Sequence, residues 1–219
     1  FQGPGQAGLL RRFPDSKMRH DYEIPLQVAL DLLHDRREVD RERIAMIGNG
    51  LGSYFTTRVA ALDPRVKAIV VNPPYVNFNR LVTNMIGPRA LRIDVAYDEL
   101  NEIPPSLMLG YVKLAVINLC RRFGVNRMQA LIHATESYTV EDLLYRIHCP
   151  TLCICGRTVN DEMVAQSELF RAGVRSGDLT MITIPNLHEA DHYNFFSNLP
   201  RLNQEIFDWL DERFQRPPQ

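Results

Sequence analysis

The sequence predicts an α/β fold in which helices cover both faces of a mostly parallel sheet. Short apolar or β-branched runs alternate with helical patterns, and the connections between them are only a few residues long. Strands joined through such crossovers are parallel, and the crossovers are right-handed in nearly all proteins. A second observation is that residues 76–146 have helical patterns and no strand patterns. We therefore expect a sheet that is interrupted by a helical insertion.

The first part of the predicted sheet consists of a helix, a strand, a helix and a second strand. Apolar residues recur at helical spacing in 21–34, which predicts an amphipathic helix. The apolar run 43–48 is too short for a buried helix and predicts a buried strand. Residues 54–62 again have helical spacing. Residues 66–71 are rich in β-branched side chains and predict the second strand.

The remaining elements include the insertion and the rest of the sheet. In chain order they are helices at 106–123, 127–137 and 140–146, a strand at 150–155, a helix at 162–172, a strand at 179–184 and a helix at 202–213. The last helix is amphipathic, with its large apolar residues on one face. We assign residues 1–75 and 147–219 to the sheet unit and residues 76–146 to a helical cap.

Composition excludes several classes of protein. The 25 basic and 26 acidic residues nearly cancel and form no run of like charge, so we expect no nucleic-acid partner. No apolar stretch approaches the roughly 18 residues that a membrane span needs, and the first residues have no basic-then-apolar pattern, so we expect no secretory signal. The four cysteines fit neither a disulfide framework nor a zinc site. We expect a soluble cytoplasmic protein with a small-molecule substrate and no cofactor.

The segment Gly48-Asn49-Gly50-Leu51-Gly52 falls between a predicted strand and a predicted helix, which is where the nucleophile elbow G-x-S-x-G occurs. Other segments follow in a recognisable order: 3–6 (GPGQ), 21–23 (DYE), 39–45 (VDRERIA), 63–68 (DPRVKA), 147–152 (IHCPTL) and 208–210 (DWL). The chain thereby resembles the α/β-hydrolase superfamily. Within it, the chain is similar to the group of the fermentation-respiration switch esterase and 2,6-dihydroxypseudooxynicotine hydrolase. The resemblance implies an α/β-hydrolase fold.

The sequence departs from that pattern at Gly50, where the family has its nucleophilic serine. An acyl-enzyme requires a hydroxyl or thiol within reach of a base, and glycine supplies neither. Glycine does tolerate the strained backbone of the elbow, so the turn can persist. Ser53 lies about one turn into the next helix and is expected to point elsewhere. An engineered replacement of serine by glycine stays open.

The resemblance implies an acid after one late strand and a histidine after the next. Asp161 follows the strand at 150–155 and is the candidate acid. His192 is the preferred base because the preceding Glu189-Ala190-Asp191 resembles the acidic approach to the family's histidine, and His188 is the alternative. Residues expected to contact the substrate are Asn49, Leu51, Tyr75 and Tyr193.

These residues support several hypotheses. In the first, His192 is a general base that acts on a small carbonyl-containing metabolite by elimination, decarboxylation, cyclisation or direct attack of water. In the second, the chain is a non-catalytic homologue that binds a ligand or a partner. If Gly50 replaces a native serine, ordinary ester or C–C hydrolysis is the third.

The family also has strands before the Gly-Pro-Gly-Gln segment, and here they are missing. We expect a longer polypeptide, a second chain or a homodimer to complete the sheet. Residues 1–4 also match the remnant of a viral-protease cleavage site, which leaves the origin of this segment open.

A rival motif overlaps the candidate base. His188-Glu189-Ala190-Asp191-His192 spells H-E-x-x-H, which on a helix binds zinc in metallopeptidases, with Glu205 or Glu212 as a third ligand. Asp191 argues against this hypothesis because it places a charge at a middle position that is normally packed. Measuring zinc in the purified protein distinguishes the two interpretations.

Overall fold

The computed structural model describes residues 1–156, 160–184 and 199–215. By its internal contacts the chain forms two units. One contains Phe1–Pro25 and Phe78–Thr139, and the other contains Leu26–Asn77 and Val140–Gln219. The first unit is helical in its described part, whereas the second contains the sheet.

The sheet has four parallel strands in the spatial order of the sequence. They are β1 (Ala45–Asn49), β2 (Ala68–Asn72), β3 (Thr151–Gly156) and β4 (Leu179–Ile184). Parallel neighbours require crossovers, and the crossovers here contain helices, as the alternating pattern predicted. The α/β fold class is therefore confirmed.

One face of the sheet is covered by the last helix, α8 (Leu199–Phe214). Its apolar residues pack on alternate residues of β2 and β3, and the cluster consists of Ala68, Val70, Leu152, Ile154, Leu202, Ile206, Trp209 and Leu210. The Trp209 indole N–H also donates a hydrogen bond to Thr180 Oγ1 at 3.0 Å, which orients the ring against β4. Helix α8 thus supplies the apolar surface that the periodicity of 202–213 predicted.

The opposite face contacts helix α3 (Leu51–Leu62), which follows β1 directly. Gly48 faces this helix, and its partners across the sheet, Val71 and then Cys153, point to the same side. Both partners are fully buried. Helices on both faces explain why the strands have continuous apolar runs instead of an alternating pattern.

Helix α2 (Glu23–His34) precedes the sheet, and an ion pair connects it to the turn before β2. Arg65 donates hydrogen bonds to Asp63 Oδ2 at 2.7 Å and to Asp31 Oδ1 at 2.5 Å, and Asp31 lies on α2. Asp63 is only 5% exposed, so its ion pair with Arg65 is largely shielded from water.

Helix α7 (Asp161–Gly173) joins β3 to β4, and a 3₁₀ helix, Glu141–Arg146, precedes β3. The spacing of 140–146 had predicted an α-helix. Three-residue 3₁₀ turns occur at Arg41–Arg43, Ala90–Arg92 and Leu100–Glu102.

The helical unit contains α1 (Ala7–Arg12), α4 (Phe78–Ile86), α5 (Gly110–Phe123) and α6 (Met128–Thr135). Its core includes an aromatic cluster. The ring of Phe123 stacks on that of Phe78 with 6.2 Å between the ring centroids, and its centroid lies 5.0 Å from that of Tyr138. Helix α5 begins at Gly110 and not at Ser106. None of the helices in the described part of the chain has the length and apolar character needed to cross a bilayer.

Candidate active site

The carboxyl ends of the four strands meet at one edge of the sheet. The strands are parallel, and Asn49 pairs with Asn72 while Gly156 pairs with Ile184. The ends of the four strands therefore lie side by side, and this edge is where open α/β sheets bind ligands. Gly50 follows β1 at this edge.

Gly50 has the backbone of a sharp strand-to-helix turn. It connects the last residue of β1 to the first residue of α3 with φ 55° and ψ −123°, which L side chains rarely adopt. Its N–H donates to Asn72 O at 2.9 Å, so the turn is also bonded to the end of β2. The predicted elbow geometry is present at Gly50.

The two flanking glycines have different physical roles. A Cβ added at Gly48 would lie 2.4 Å from Gly52 O and 2.7 Å from Ser53 Cα, whereas one added at Gly52 would meet nothing within 4 Å. Gly48 is therefore required so that α3 can approach β1 closely. Gly52 leaves open space at the start of the helix.

Ser53 is fully buried, and its hydroxyl both donates and accepts a hydrogen bond. The hydroxyl donates to Gly48 O at 2.9 Å and accepts from Asn72 N–H at 3.1 Å. It therefore binds β1 and β2 to the start of α3. The hydroxyl is therefore directed towards β1 and β2, in agreement with the expectation that Ser53 points elsewhere.

Three of the predicted substrate contacts lie at this edge. Asn49 is exposed, and its Oδ1 accepts a hydrogen bond from Asn72 Nδ2 at 3.1 Å. Leu51 is half-buried and is the first residue of α3, where backbone N–H groups have no acceptor within the helix. Tyr75 is half-buried in the segment after β2. The Leu51 N–H lies at the positive end of the α3 dipole and is suited to bind an anionic oxygen.

Asp161 is the first residue of α7 and is exposed. Asn160 caps this helix by accepting a hydrogen bond from Met163 N–H at 2.9 Å. Asp161 and Glu162 form an acidic first turn, a position where carboxylates interact favourably with the helix dipole. Helix α7 therefore begins at the carboxyl edge with a fixed first turn.

Comparison with known proteins supports this geometry. Residues 24–103, which include the turn at Gly50, match the acetyl xylan esterase (AXE1) family. The structure of 2,6-dihydroxy-pseudo-oxynicotine hydrolase is similar over 96% of this chain and 50% of its own, with a TM-score of 0.67 and 22% identity. The chain therefore has the α/β-hydrolase fold.

Two curated fungal relatives are similar to this chain in sequence. Hydrolase ORFZ of Pyricularia oryzae is 39% identical over 94 residues, which are 40% of this chain and 22% of ORFZ. Hydrolyase poxO of Penicillium oxalicum is 27% identical over 192 residues, which are 78% of this chain and 44% of poxO. The chain thus spans less than half the length of these two relatives.

The other candidate residues of the hydrolase fold lie outside the described residues. They are His188, His192, Tyr193 and the H-E-x-x-H segment that includes both histidines. Glu205 and Glu212, the nominated third zinc ligands, lie on α8, where they form ion pairs with Arg201 and Arg213 respectively. His192 as base and the zinc hypothesis therefore stay predictions.

Free thiols lie beneath the same edge of the hydrolase sheet. Cys153 and Cys155 share one side of β3, with their sulfurs 3.6 Å apart. All four cysteines are free, as predicted. Burial raises the pKa of Cys149 to about 11. No group of three potential metal ligands occurs within the ranges that the structure describes.

Gln166 is a polar residue of this fold that was not among the residues predicted from the sequence. It lies on the buried face of α7 with Met163 and Phe170, and its exposure is 0%. The signal was present in the sequence, because a glutamine at this spacing interrupts an otherwise apolar helical stripe. A buried amide needs hydrogen-bond partners, so its position indicates a specific contact.

Proposed function

We propose that this protein is an α/β-hydrolase-fold enzyme that acts on a small carbonyl-containing metabolite without a serine nucleophile. The observation that carries the proposal is Gly50, which has the conformation of the elbow but no side chain to attack a carbonyl. In the proposed mechanism His192 is the general base and Asp161 orients it. His188 is the alternative base.

The geometry of the described residues suggests how such a base would work. An oxyanion that develops on the substrate would accept from the Leu51 N–H, at the amino end of α3. This charge would develop as the base removes a carbon-bound or hydroxyl proton, or as water activated by the base attacks the carbonyl. Asn49, Tyr75 and Tyr193 are the proposed substrate contacts, and the absent side chain at Gly50 leaves room for substrate or water.

The substrate class is proposed from the relatives. The solved structure is named for the hydrolysis of 2,6-dihydroxy-pseudo-oxynicotine, a small molecule, and hydrolyase poxO has the longer sequence match. We infer a small metabolite of secondary metabolism as the substrate. Residues 76–146 are proposed as the cap of the site. Cytoplasmic location stays a prediction from the sequence.

The sheet edge at β1 supports a further partner. Among the described residues, β1 pairs with a strand on one side only, and Ile47 at this edge is 42% exposed. Helix α2 also exposes an apolar stripe that consists of Ile24, Val28 and Leu32. We propose that a strand-bearing segment of a longer polypeptide, or of a second chain such as a homodimer partner, pairs with β1 and covers this stripe.

The test is to restore the hydroxyl with Gly50→Ser and to measure hydrolysis of p-nitrophenyl acetate. We expect activity that the additional substitution His192→Ala abolishes, because the base must activate the new serine. Gly52→Ser is the matched control, since it adds a hydroxyl in open space two residues away and should stay inactive.

An inactive Gly50→Ser protein that is folded would contradict the proposed arrangement of base and acid. It would favour the non-catalytic binding role. Zinc bound stoichiometrically by the unmodified protein, and lost in His188→Ala and His192→Ala, would instead support the metallopeptidase alternative.

A further inference from the structure

Gln166 makes four hydrogen bonds although it is completely buried. Its Oε1 accepts from the backbone N–H groups of Val76 at 2.7 Å and Asn77 at 3.0 Å. Its Nε2 donates to Asn77 O at 2.7 Å and to Glu162 Oε1 at 2.9 Å. The amide group has two donors and two acceptor sites, so its bonding capacity is used in full.

These bonds join two segments that are far apart in the sequence. Val76 and Asn77 end the segment that leaves β2 and carries Tyr75. Glu162 lies in the first turn of α7, next to Asp161. Val76 O in addition accepts from Val140 N–H at 2.9 Å, which fixes the same segment from its other side. One side chain of α7 thus connects the segment next to Tyr75 with the helix that begins at Asp161.

We propose that Gln166 is a positioning residue that holds the segment 73–77 against the first turn of α7 and so sets the position of Tyr75 relative to Asp161. Its effect on catalysis rests on the proposed function, whereas its contacts do not. Gln166 does not touch the substrate itself. It acts through the backbone of Val76 and Asn77 and through Glu162.

The chemistry of the contacts explains why a glutamine is required. Methionine has nearly the same length but cannot make the hydrogen bonds to the backbone of Val76 and Asn77, and losing hydrogen bonds in a buried place is costly. A carboxylate would accept from the N–H groups but would face Asn77 O and Glu162 Oε1, which are also acceptors. Protonation of that carboxyl would restore one donor. The stability of the Gln166→Glu variant should therefore depend on pH.

The first experiment measures hydrogen exchange, which needs no substrate. In Gln166→Met we expect the amides of Val76 and Asn77 to exchange about 10-fold faster or more, together with those of residues 163–166, while those of β2 and β3 stay protected. Gln129→Met is the matched control because Gln129 Nε2 donates to Leu91 O at 2.7 Å in the helical unit. Unchanged exchange at Val76 and Asn77 would overturn the proposal.

The second experiment measures ester hydrolysis in the Gly50→Ser background. We expect Gln166→Met to lower kcat by about 10-fold to 100-fold with little change in KM, because misplaced groups affect the chemical step. If the exchange changes but kcat does not, the residue is only structural and the positioning role is wrong. If Gly50→Ser is inactive, the proposed function fails, and the exchange experiment still decides whether Gln166 holds the two segments.

Gln166→Glu covers the case in which the methionine variant does not fold. We expect its melting temperature to approach that of the unmodified protein as the pH falls from about 8 to about 5, because the buried introduced carboxyl becomes protonated. A melting-temperature difference that is equally large at both pH values would contradict the hydrogen-bond assignment.

Discussion

Gly48→Ala tests the close approach of α3 to β1. The added Cβ would lie 2.4 Å from Gly52 O and 2.7 Å from Ser53 Cα, and both contacts are with backbone, which cannot rotate away. Forcing extra volume into a packed site costs about 1–3 kcal/mol. Moving α3 would also weaken the two hydrogen bonds of Ser53, at about 0.5–1.5 kcal/mol each. We expect a loss of about 2–6 kcal/mol in the free energy of unfolding.

The assay is urea unfolding followed by fluorescence of the single tryptophan, Trp209, which is in the core of the sheet unit. Gly52→Ala is the matched control, because its Cβ meets nothing within 4 Å and alanine favours helix. We expect it to be neutral or stabilising by up to about 1 kcal/mol. Stability of Gly48→Ala within about 1 kcal/mol of the unmodified protein would refute the reasoning.

Two further predictions concern the pH dependence of stability. Burial raises the pKa of Cys120 from 9.0 to about 11. The stability that the neutral Cys120 thiol contributes to the folded state is therefore complete below pH 9.0 and is lost as the pH rises towards 11. Urea titrations should show that the free energy of unfolding of Cys120→Ala falls by about 2–3 kcal/mol less than that of the unmodified protein between about pH 9 and 11. Equal pH dependence in the two proteins would show that the Cys120 thiol is not responsible. Hydrogen bonds from Arg65 lower the pKa of Asp63 below its usual 3.8. The stability that the ionised Asp63 carboxylate contributes is therefore present above pH 3.8 and is lost as the pH falls further. Asp63→Asn should cost about 1–3 kcal/mol at neutral pH, and this difference should shrink in acid; a constant difference would show that the charge of Asp63 is not responsible.

The elements with a strong local pattern could be predicted from the sequence. Strand β4 has the predicted bounds, and helix α7 differs from its prediction by one residue at each end. Helix α4 was missed although Phe78, Val82 and Ile86 form a buried stripe. A helix of nine residues is marginal by itself and depends on tertiary packing, so its local signal is weak.

The start of α3 shows the same limit. The spacing predicted a helix from Tyr54, but the helix begins at Leu51, immediately after Gly50. Glycine has a low helix propensity, so Gly50 and Gly52 obscure the boundary. Packing against β1 and the hydrogen bonds of Ser53 stabilise the additional turn.

Some features of the candidate site could be predicted from the sequence, and others could not. The position of Gly50 between a strand and a helix followed from the sequence, because the turn joins two neighbouring segments of the chain. Asp161 was also placed correctly after β3 in the sequence order, although its role stays a proposal. The contact between Gln166 and Val76 spans 90 residues, and no local pattern indicates which partner a buried amide will find.

By itself the sequence determined the alternation of helices and strands, the apolar faces and the strand-to-helix turn at Gly50, because periodicity and glycine placement act over a few neighbouring residues. Only the tertiary structure decided that position 48 has no room for a side chain, that Ser53 is buried against two strands, and that Gln166 joins the segment 73–77 to α7. Those features depend on the distance between segments that meet only after the chain has folded.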